Sequence, residues 1–205
     1  MRIISGRLRR RKLLINPGNT TRPITDRVKV MLFDRLDREL PNARVADIFS
    51  GTGSYGFEAI SRGAGSAVFF EQDRKAFELL LKNQESLELK ECSLCWSVDV
   101  LRTSFVPKGV DAFLPYTLVF FDPPYSMVEP GMKPGQPLFK AVERLAKPAA
   151  TAENAVVVYR TERRTDLVIP ECWERTHLWQ ISNMAFHFLE KTDRPKAQEA
   201  VETSE

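Results

Sequence analysis

The chain has 205 residues, 43% of them apolar and 28% charged, with a formal net charge of +3. This content supports the core of one domain with a short appendage, and no apolar run nears the roughly 20 residues that cross a membrane as a helix. The charged start has no apolar stretch behind it, so no secretory signal is read and a cytoplasmic protein is expected.

The charge is unevenly spread. Residues 1–40 carry 11 Lys/Arg against 4 Asp/Glu, while the remainder carries 19 against 23. Arg2, Arg7, Arg9, Arg10, Arg11 and Lys12 arrive with no acid among the first twelve residues. Positive charge gathered in one segment points to a polyanion, most often nucleic acid, because each basic side chain can neutralise a phosphate and release counterions. Phosphate contacts of this kind position a nucleic acid without reading its sequence. Two short apolar runs, Ile3-Ile4 and Leu13-Leu14-Ile15, precede a turn at Asn16-Pro17-Gly18-Asn19, which predicts a two-strand arm bearing the arginines. Thr25 is placed to N-cap a helix over 26–40, with Asp26 at its positive end. Val28, Leu32 and Leu36 recur every four residues, giving that helix one apolar face, and Pro41 closes it.

From residue 43 a β/α alternation takes over. A strand over 43–49 stops at Gly51-Thr52-Gly53 and re-enters as a helix over 54–62. A second strand, 66–70, runs into Glu71-Gln72-Asp73, and a helix over 74–87 carries Phe77, Leu80 and Leu81 at helical spacing. A third strand within 92–98 ends at Asp99, and a fourth, 116–121, runs into Asp122-Pro123-Pro124-Tyr125. Prolines and glycines through 126–137 predict a loop, a candidate lid over a site. A helix over 138–145, a strand over 155–160 and strand-like stretches at 167–169, 173–181 and 184–189 follow. Residues 191–205 are polar and aperiodic, which predicts a disordered tail. The pattern is an α/β fold with a mostly parallel sheet and helices on both faces.

Two strand-end loops carry the chemistry. Gly51 and Gly53 let the backbone approach a ligand, and the helix start beyond them offers unpaired N–H groups. Gly51-x-Gly53-x-x-Gly56 also fits the dinucleotide pattern, with Glu71 twenty residues after Gly51. A carboxylate there suits both ribose hydroxyls of NAD or of any adenosine cofactor. Asp47, inside the first strand, needs partners if buried, either backbone N–H groups or a cationic cofactor group. In Asp122-Pro123-Pro124-Tyr125 the prolines fix φ and remove donors, leaving the Pro123 carbonyl to accept from outside. With Asp122 as a second acceptor, the pair suits an exocyclic –NH2 group, and Tyr125 offers a flat face for the base that carries it. Cys92-x-x-Cys95 with Cys172 and His177 is too loose for structural zinc. No metal is expected; the cysteines read as reduced thiols, Cys92 and Leu94 on one strand face and Cys95 on the other.

These motifs identify a resemblance. Arg2-Ile-Ile-Ser-Gly, Arg11-Lys12-Leu13, Arg22-Pro-Ile-Thr-Asp-Arg27, Leu32-Phe33, Asp47-Ile-Phe-Ser-Gly-Thr-Gly53, Glu58-Ala-Ile-Ser-Arg-Gly-Ala64, Glu71 with Asp73, Lys82-Asn83 and Asp122-Pro-Pro-Tyr125 together resemble the bacterial 16S rRNA guanine-N2 methyltransferase family (RsmD). That family lies within the S-adenosylmethionine-dependent amino-methyltransferases. The resemblance implies a Rossmann-like class I methyltransferase fold, with a mostly parallel seven-stranded sheet, an antiparallel C-terminal strand and a small N-terminal arm. It implies an RNA-contacting arm and helix over 1–40, a methyltransferase domain over 41–190 and a tail beyond. S-adenosyl-L-methionine is the implied cofactor, held by Asp47, Phe49, Ser50, Gly51, Thr52, Gly53, Glu71, Gln72, Asp99 and Val100. Asp122, Pro123, Pro124 and Tyr125 are the implied catalytic set. Arg2, Arg7, Arg9, Arg10, Arg11, Lys12, Arg22, Thr25 and Arg27 are the implied RNA contacts. The implied partner is 16S ribosomal RNA or a small-subunit assembly particle, met by a monomer. An adenine-N6 methyltransferase, an NAD-dependent oxidoreductase and a non-catalytic rRNA-binding assembly factor remain open as alternatives.

Overall fold

A computed structural model describes residues 1–15 and 24–192. The predicted turn at residues 16–19, Arg22 and the tail from residue 193 lie outside the described residues.

The predicted two-strand arm is a turn closed by a single antiparallel bridge, Arg2 to Lys12. Its ends are held by Ile3 N–H donating to Arg11 O at 2.9 Å and Leu13 N–H donating to Met1 O at 3.0 Å. No ladder develops because the backbone between them bonds to the rest of the chain instead. Ile4 N–H and Ser5 N–H donate to the Glu58 carboxylate at 2.8 and 3.0 Å, and Arg7 N–H donates to Ser61 O at 2.8 Å. Gly6, at φ 78°, presses so close to Ser61 that a Cβ would collide with the Ser61 carbonyl.

α1 (Asp26–Arg35) starts where expected: Thr25 Oγ1 accepts from Val28 N–H at 3.3 Å. It ends five residues earlier than the predicted 40. Leu36 N–H donates to Phe33 O in a tighter turn, and successive turns then bury both Leu36 and Leu40.

The alternation follows as β1 (Arg44–Ile48), α2 (Ser54–Ser61), β2 (Ser66–Glu71), α3 (Arg74–Ser86), β3 (Ser93–Ser97) and β4 (Tyr116–Phe121). Then come α4 (Tyr125–Gly131), α5 (Pro137–Leu145), β5 (Thr151–Glu162), β6 (Trp173–Ile181) and β7 (Met184–Lys191). The seven strands lie in the order β3-β2-β1-β4-β5-β7-β6, with β7 antiparallel to both its neighbours and the pairs among β1 to β5 parallel. The order reverses between β1 and β4. In open α/β sheets ligands bind at such a switch point, beyond the carboxyl ends of the strands.

Strand period two sorts the core onto two faces. Val45, Phe69, Leu118 and Phe120 join a cluster with Leu32, Phe33, Phe57, Ile60 and Leu80 from α1, α2 and α3. Ala46, Ile48, Phe70, Val119 and Phe121 join one with Val128, Leu138, Val142 and Leu145 from α4 and α5. Ile3 and Leu13 of the arm belong to the first cluster, so the arm is docked on the domain. Each Val, Leu, Ile or Phe among them contributes roughly 1.5–3 kcal/mol when fully buried.

Several expectations are corrected. Residues 126–137 are mostly helix rather than loop: α4 runs through Pro130, and Val128 and Met132, four apart, are buried with Leu138. That burial outweighs the one helical hydrogen bond a proline removes. Residues 167–169 form no strand, although Leu167 is buried. Cys92 precedes β3 and packs with Cys95 against the first cluster, while Leu94 packs against the second. All three cysteines are free thiols, and among the described residues no His/Cys/Asp/Glu group is arranged to hold a metal ion. No helix among the described residues is long and apolar enough to cross a membrane.

Candidate active site

The loop after β1 is bent by three residues at positive φ: Phe49 at 62°, Gly51 at 56° and Gly53 at 88°. A side chain at Gly53 would be strained and would also strike the Phe57 ring and Leu80. Phe49 takes its strained backbone with its ring edge-on to Phe121 at 5.6 Å. Gly51 N–H donates to Glu71 Oε2 at 2.7 Å, and Ser50 N–H donates to Phe70 O at 3.1 Å. Glu71, at the end of β2, therefore fixes the loop as well as facing it. Its other oxygen accepts from Asp73 N–H at 2.7 Å, and burial pushes its carboxyl above the usual carboxylate range. Thr52 is tied down in turn by Asn83, whose Nδ2 donates to both Thr52 O and Leu14 O.

Beneath the loop, Asp47 is fully buried on β1. Its Oδ2 accepts from Gly56 N–H at 2.8 Å, while Oδ1 is buried without a partner. Burial, followed by the nearby charges of Asp122 and Glu71, pushes the carboxyl up to about 8. An orphaned acceptor behind a glycine loop fits an ammonium group, such as that on an amino-acid moiety of a cofactor. With a folded value near 8 against an ordinary 3.8, Asp47 contributes stability to the ligand-free protein below about pH 4 and loses it as pH rises through 8. Asp47→Asn removes that dependence. The fall in melting temperature between pH 5 and pH 8.5, followed by thermal denaturation, is expected to shrink by a few degrees in this variant.

On the adenine side of the expected cleft, Gln72 is exposed, Val100 is buried, and Asp99 Oδ1 accepts from Leu101 N–H at 2.9 Å. The loop after Asp99 is clamped from α5. Arg144 donates from Nε to Thr103 O at 2.9 Å, and from Nη2 to Leu101 O at 2.7 Å and Val100 O at 3.3 Å. Arg144→Met removes all of these while keeping the aliphatic stem. S-adenosylhomocysteine affinity measured by calorimetry is expected to fall about 10- to 100-fold, each charge-assisted bond contributing roughly 1.5–3 kcal/mol.

β4 delivers the second loop beside the first. Ile48 pairs with Phe121, and the next residue, Asp122, donates its N–H to Ile48 O at 3.2 Å. Asp122 Oδ1 is hidden from solvent and lies 2.8 Å from Arg160 Nε, a close ion pair rather than an aligned hydrogen bond. Burial pushes the Asp122 carboxyl up, and Arg160 opposes this. Arg160 Nη1 donates to the Tyr55 hydroxyl at 3.2 Å, and Tyr55 stacks on Phe120 with ring centroids 5.0 Å apart. The same guanidinium lies 5.4 Å from the centre of the half-buried Tyr125 ring. Pro123 is buried, and Pro124 O accepts from Met127 N–H at 2.9 Å as α4 begins.

The arm residues are placed in two groups. Arg2 O accepts from Lys29 Nζ at 2.9 Å, and that ammonium reaches Ser54 Oγ at 3.4 Å, at the glycine-loop end of α2. Arg7, Arg9 and Arg10 are exposed on the turn held by Ser61, at the far end of α2. An eight-residue helix separates the two groups by roughly 12 Å. Arg11 donates from Nη2 to Ser86 O, Arg2 pairs with Asp26 at 2.9 Å, and Lys12 and Arg27 are exposed. The Thr25 hydroxyl caps α1.

Tyr55, Arg144 and Arg160 receive no role from the sequence alone, yet a signal is present. A charge inside an apolar strand run, as in Val158-Tyr159-Arg160, or on a buried helix, as at Glu58, requires a partner from elsewhere in the fold.

This strand order is that of the class I, S-adenosylmethionine-dependent methyltransferase fold, and two ligand-type loops flank its switch point. Within that class, residues 1–190 match the family model described as Conserved hypothetical protein 95. The chain is 33% identical over 179 residues to Ribosomal RNA small subunit methyltransferase D of Haemophilus influenzae, covering 84% of each chain. It is 29% identical over 174 residues to the protein of that name from Buchnera aphidicola, covering 83% of each. The solved structure of the Escherichia coli protein yhhF is 29% identical with a TM-score of 0.73, covering 93% of this chain and 97% of that one. The chain belongs to this family of small-subunit ribosomal RNA methyltransferases.

Proposed function

We propose that the protein transfers a methyl group to the exocyclic N2 amine of a guanine in 16S ribosomal RNA, free or within a small-subunit assembly particle in the cytoplasm. The observation that supports this most is the Asp122 N–H bond to Ile48 O, which sets the acceptor loop directly beside the glycine loop.

S-adenosylmethionine, when bound, supplies a methyl group on an electron-poor sulfonium. Asp47 Oδ1 and the backbone of residues 49–53 would hold its amino-acid part, Glu71 its ribose hydroxyls, and Gln72, Asp99 and Val100 its adenine. The guanine N2 lone pair is delocalised into the ring and is a poor nucleophile. Asp122 and the Pro123 carbonyl each accept one N–H of that amine, which draws it toward tetrahedral geometry and turns its lone pair toward the cofactor side of the cleft. Holding two reactants at near-attack distance supplies several kcal/mol, on the order of 7–11 at best. The Asp122 oxygen that does not face Arg160 would also take the proton the amine sheds. The base must leave its stack to enter, and the Tyr125 ring offsets part of that cost.

Arg2, Arg7, Arg9, Arg10, Arg11, Lys12, Arg22, Thr25 and Arg27 are the proposed RNA contacts. With Arg7, Arg9 and Arg10 a helix length from the glycine loop, they would grip backbone phosphates remote from the target base. Incubation with labelled S-adenosylmethionine and either free 16S RNA or a small-subunit particle, followed by digestion to nucleosides, tests the proposal. N2-methylguanosine is expected. Label in N6-methyladenosine, or none with either substrate, would refute it.

A further inference from the structure

Arg160 is 4% exposed at the end of β5, and its guanidinium meets Asp122, the Tyr55 hydroxyl and the Tyr125 ring, all in the acceptor cleft. We infer that Arg160, together with Tyr55, is the positioning device of the acceptor site: it takes one oxygen of Asp122 and leaves the other as a single directed acceptor. The inference rests on the proposed reading of Asp122 as the acceptor for the substrate amine.

A carboxylate in an open cleft can swing about its terminal torsion and offer either oxygen. Here Oδ1 is hidden from solvent and held 2.8 Å from Arg160 Nε, whereas the side chain as a whole stays 16% exposed. Tyr55 completes the grip. Its hydroxyl accepts from Arg160 Nη1, so its own proton is available to Asp122, and its ring is fixed by the stack on Phe120. The planar guanidinium also covers Tyr125, which orders that ring and reserves its other face for a base.

Charge around the site works in the same direction. The titratable groups around Asp122 are the hydroxyls of Tyr55 on α2, Tyr125 on α4 and Tyr159 on β5, each pushed up by burial, Asp47 on β1, whose raised carboxyl is mostly protonated at neutral pH, and Glu162, which acts on Tyr125. Arg160 is the cation set among them. Burying a guanidinium at the end of an apolar strand is costly unless it is paired, and a structural position would be better filled by another valine. An ionised Asp122 can only accept, as a substrate amine requires.

Arg160→Gln and Arg160→Lys, made in the full chain, test this with S-adenosylhomocysteine calorimetry and the pH dependence of kcat and KM on the RNA substrate. In Arg160→Gln, S-adenosylhomocysteine affinity is expected to be unchanged while kcat falls about 10²-fold, the scale of losing one preorganised electrostatic contact. Loss of the cation raises the Asp122 carboxyl, so the acidic limb of the kcat profile moves to higher pH. Arg160→Lys keeps the charge and loses the planar fork, so its acidic limb stays near that of the wild type while kcat still falls. A folded Arg160→Gln protein whose acidic limb and kcat match the wild type would overturn the inference. If that variant fails to fold, wild-type kcat in Arg160→Lys would overturn it instead. A wild-type protein that transfers no methyl group overturns the reading of the site itself, and this inference with it.

Discussion

Replacing Asp122 with alanine is expected to leave S-adenosylhomocysteine binding intact and to cut methyl transfer by about 10²–10³, the loss seen when one group aimed at a developing charge is removed. The glycine loop owes its shape to Glu71, Ser50 and the residues at positive φ, none of which bonds to the Asp122 side chain. Asp122 meets the loop's strand through its backbone N–H, which alanine keeps. The variant therefore loses the acceptor and spares the cradle. It also leaves Arg160 without its carboxylate, so Asp122→Asn, which preserves shape and one carbonyl oxygen, separates lost acceptance from lost packing. Calorimetry with S-adenosylhomocysteine and single-turnover transfer on the same preparation read both effects. Near-normal turnover in the alanine variant would contradict the assignment.

The largest effect on stability is expected at Glu58, which is 0% exposed on α2. Its carboxylate accepts from Ile4 N–H, Ser5 N–H, Arg62 Nε at 3.0 Å and the ammonium of Lys29 at 3.2 Å, itself 1% exposed. Burial lowers the proton affinity of Lys29 and Glu58 raises it again. Glu58→Gln turns one acceptor into a donor facing other donors and strands a buried ammonium. Breaking a buried pair from one side costs roughly 3–5 kcal/mol. The melting temperature should drop by about 10 °C, at roughly 2–4 °C per kcal/mol for a domain of this size. Because the same carboxylate fastens the arm, trypsin should cut between residues 7 and 12 faster in the variant than in the wild type. An unchanged melting temperature and cleavage rate would show that the arm is held by other means.

Much of this architecture is legible in the chain because local chemistry and tertiary placement agree. Apolar runs broken by Gly51-Thr52-Gly53 and by Asp122-Pro123-Pro124-Tyr125 can only be strands that stop at ligand-type loops, and β1 and β4 are neighbours in the sheet. Thr25 caps α1 as its hydroxyl predicts. The misreadings arise where tertiary packing overrides local preference. Pro130 speaks against a helix, but the burial of Val128 and Met132 decides for one. Ile3 and Leu13 look like strand residues, yet their segments pair at one bridge, Arg2 to Lys12, because Glu58 and Ser61 compete for the intervening N–H groups. Arg160 and Glu58 are visible as charges out of place; helical spacing offers Glu58 only Arg62, while Asp122, the partner of Arg160, and Ile4, a donor to Glu58, lie 38 and 54 residues away in sequence, beyond any local spacing.

Crystallisation with S-adenosylhomocysteine is the most direct measurement of the central claim, that donor and acceptor meet across the β1–β4 cleft. The complex should show the ribose on Glu71, the amino group on the orphaned Asp47 oxygen, and the sulfur facing the free oxygen of Asp122. Ligand bound elsewhere, or bound there with Asp122 turned away from the sulfur, would contradict it.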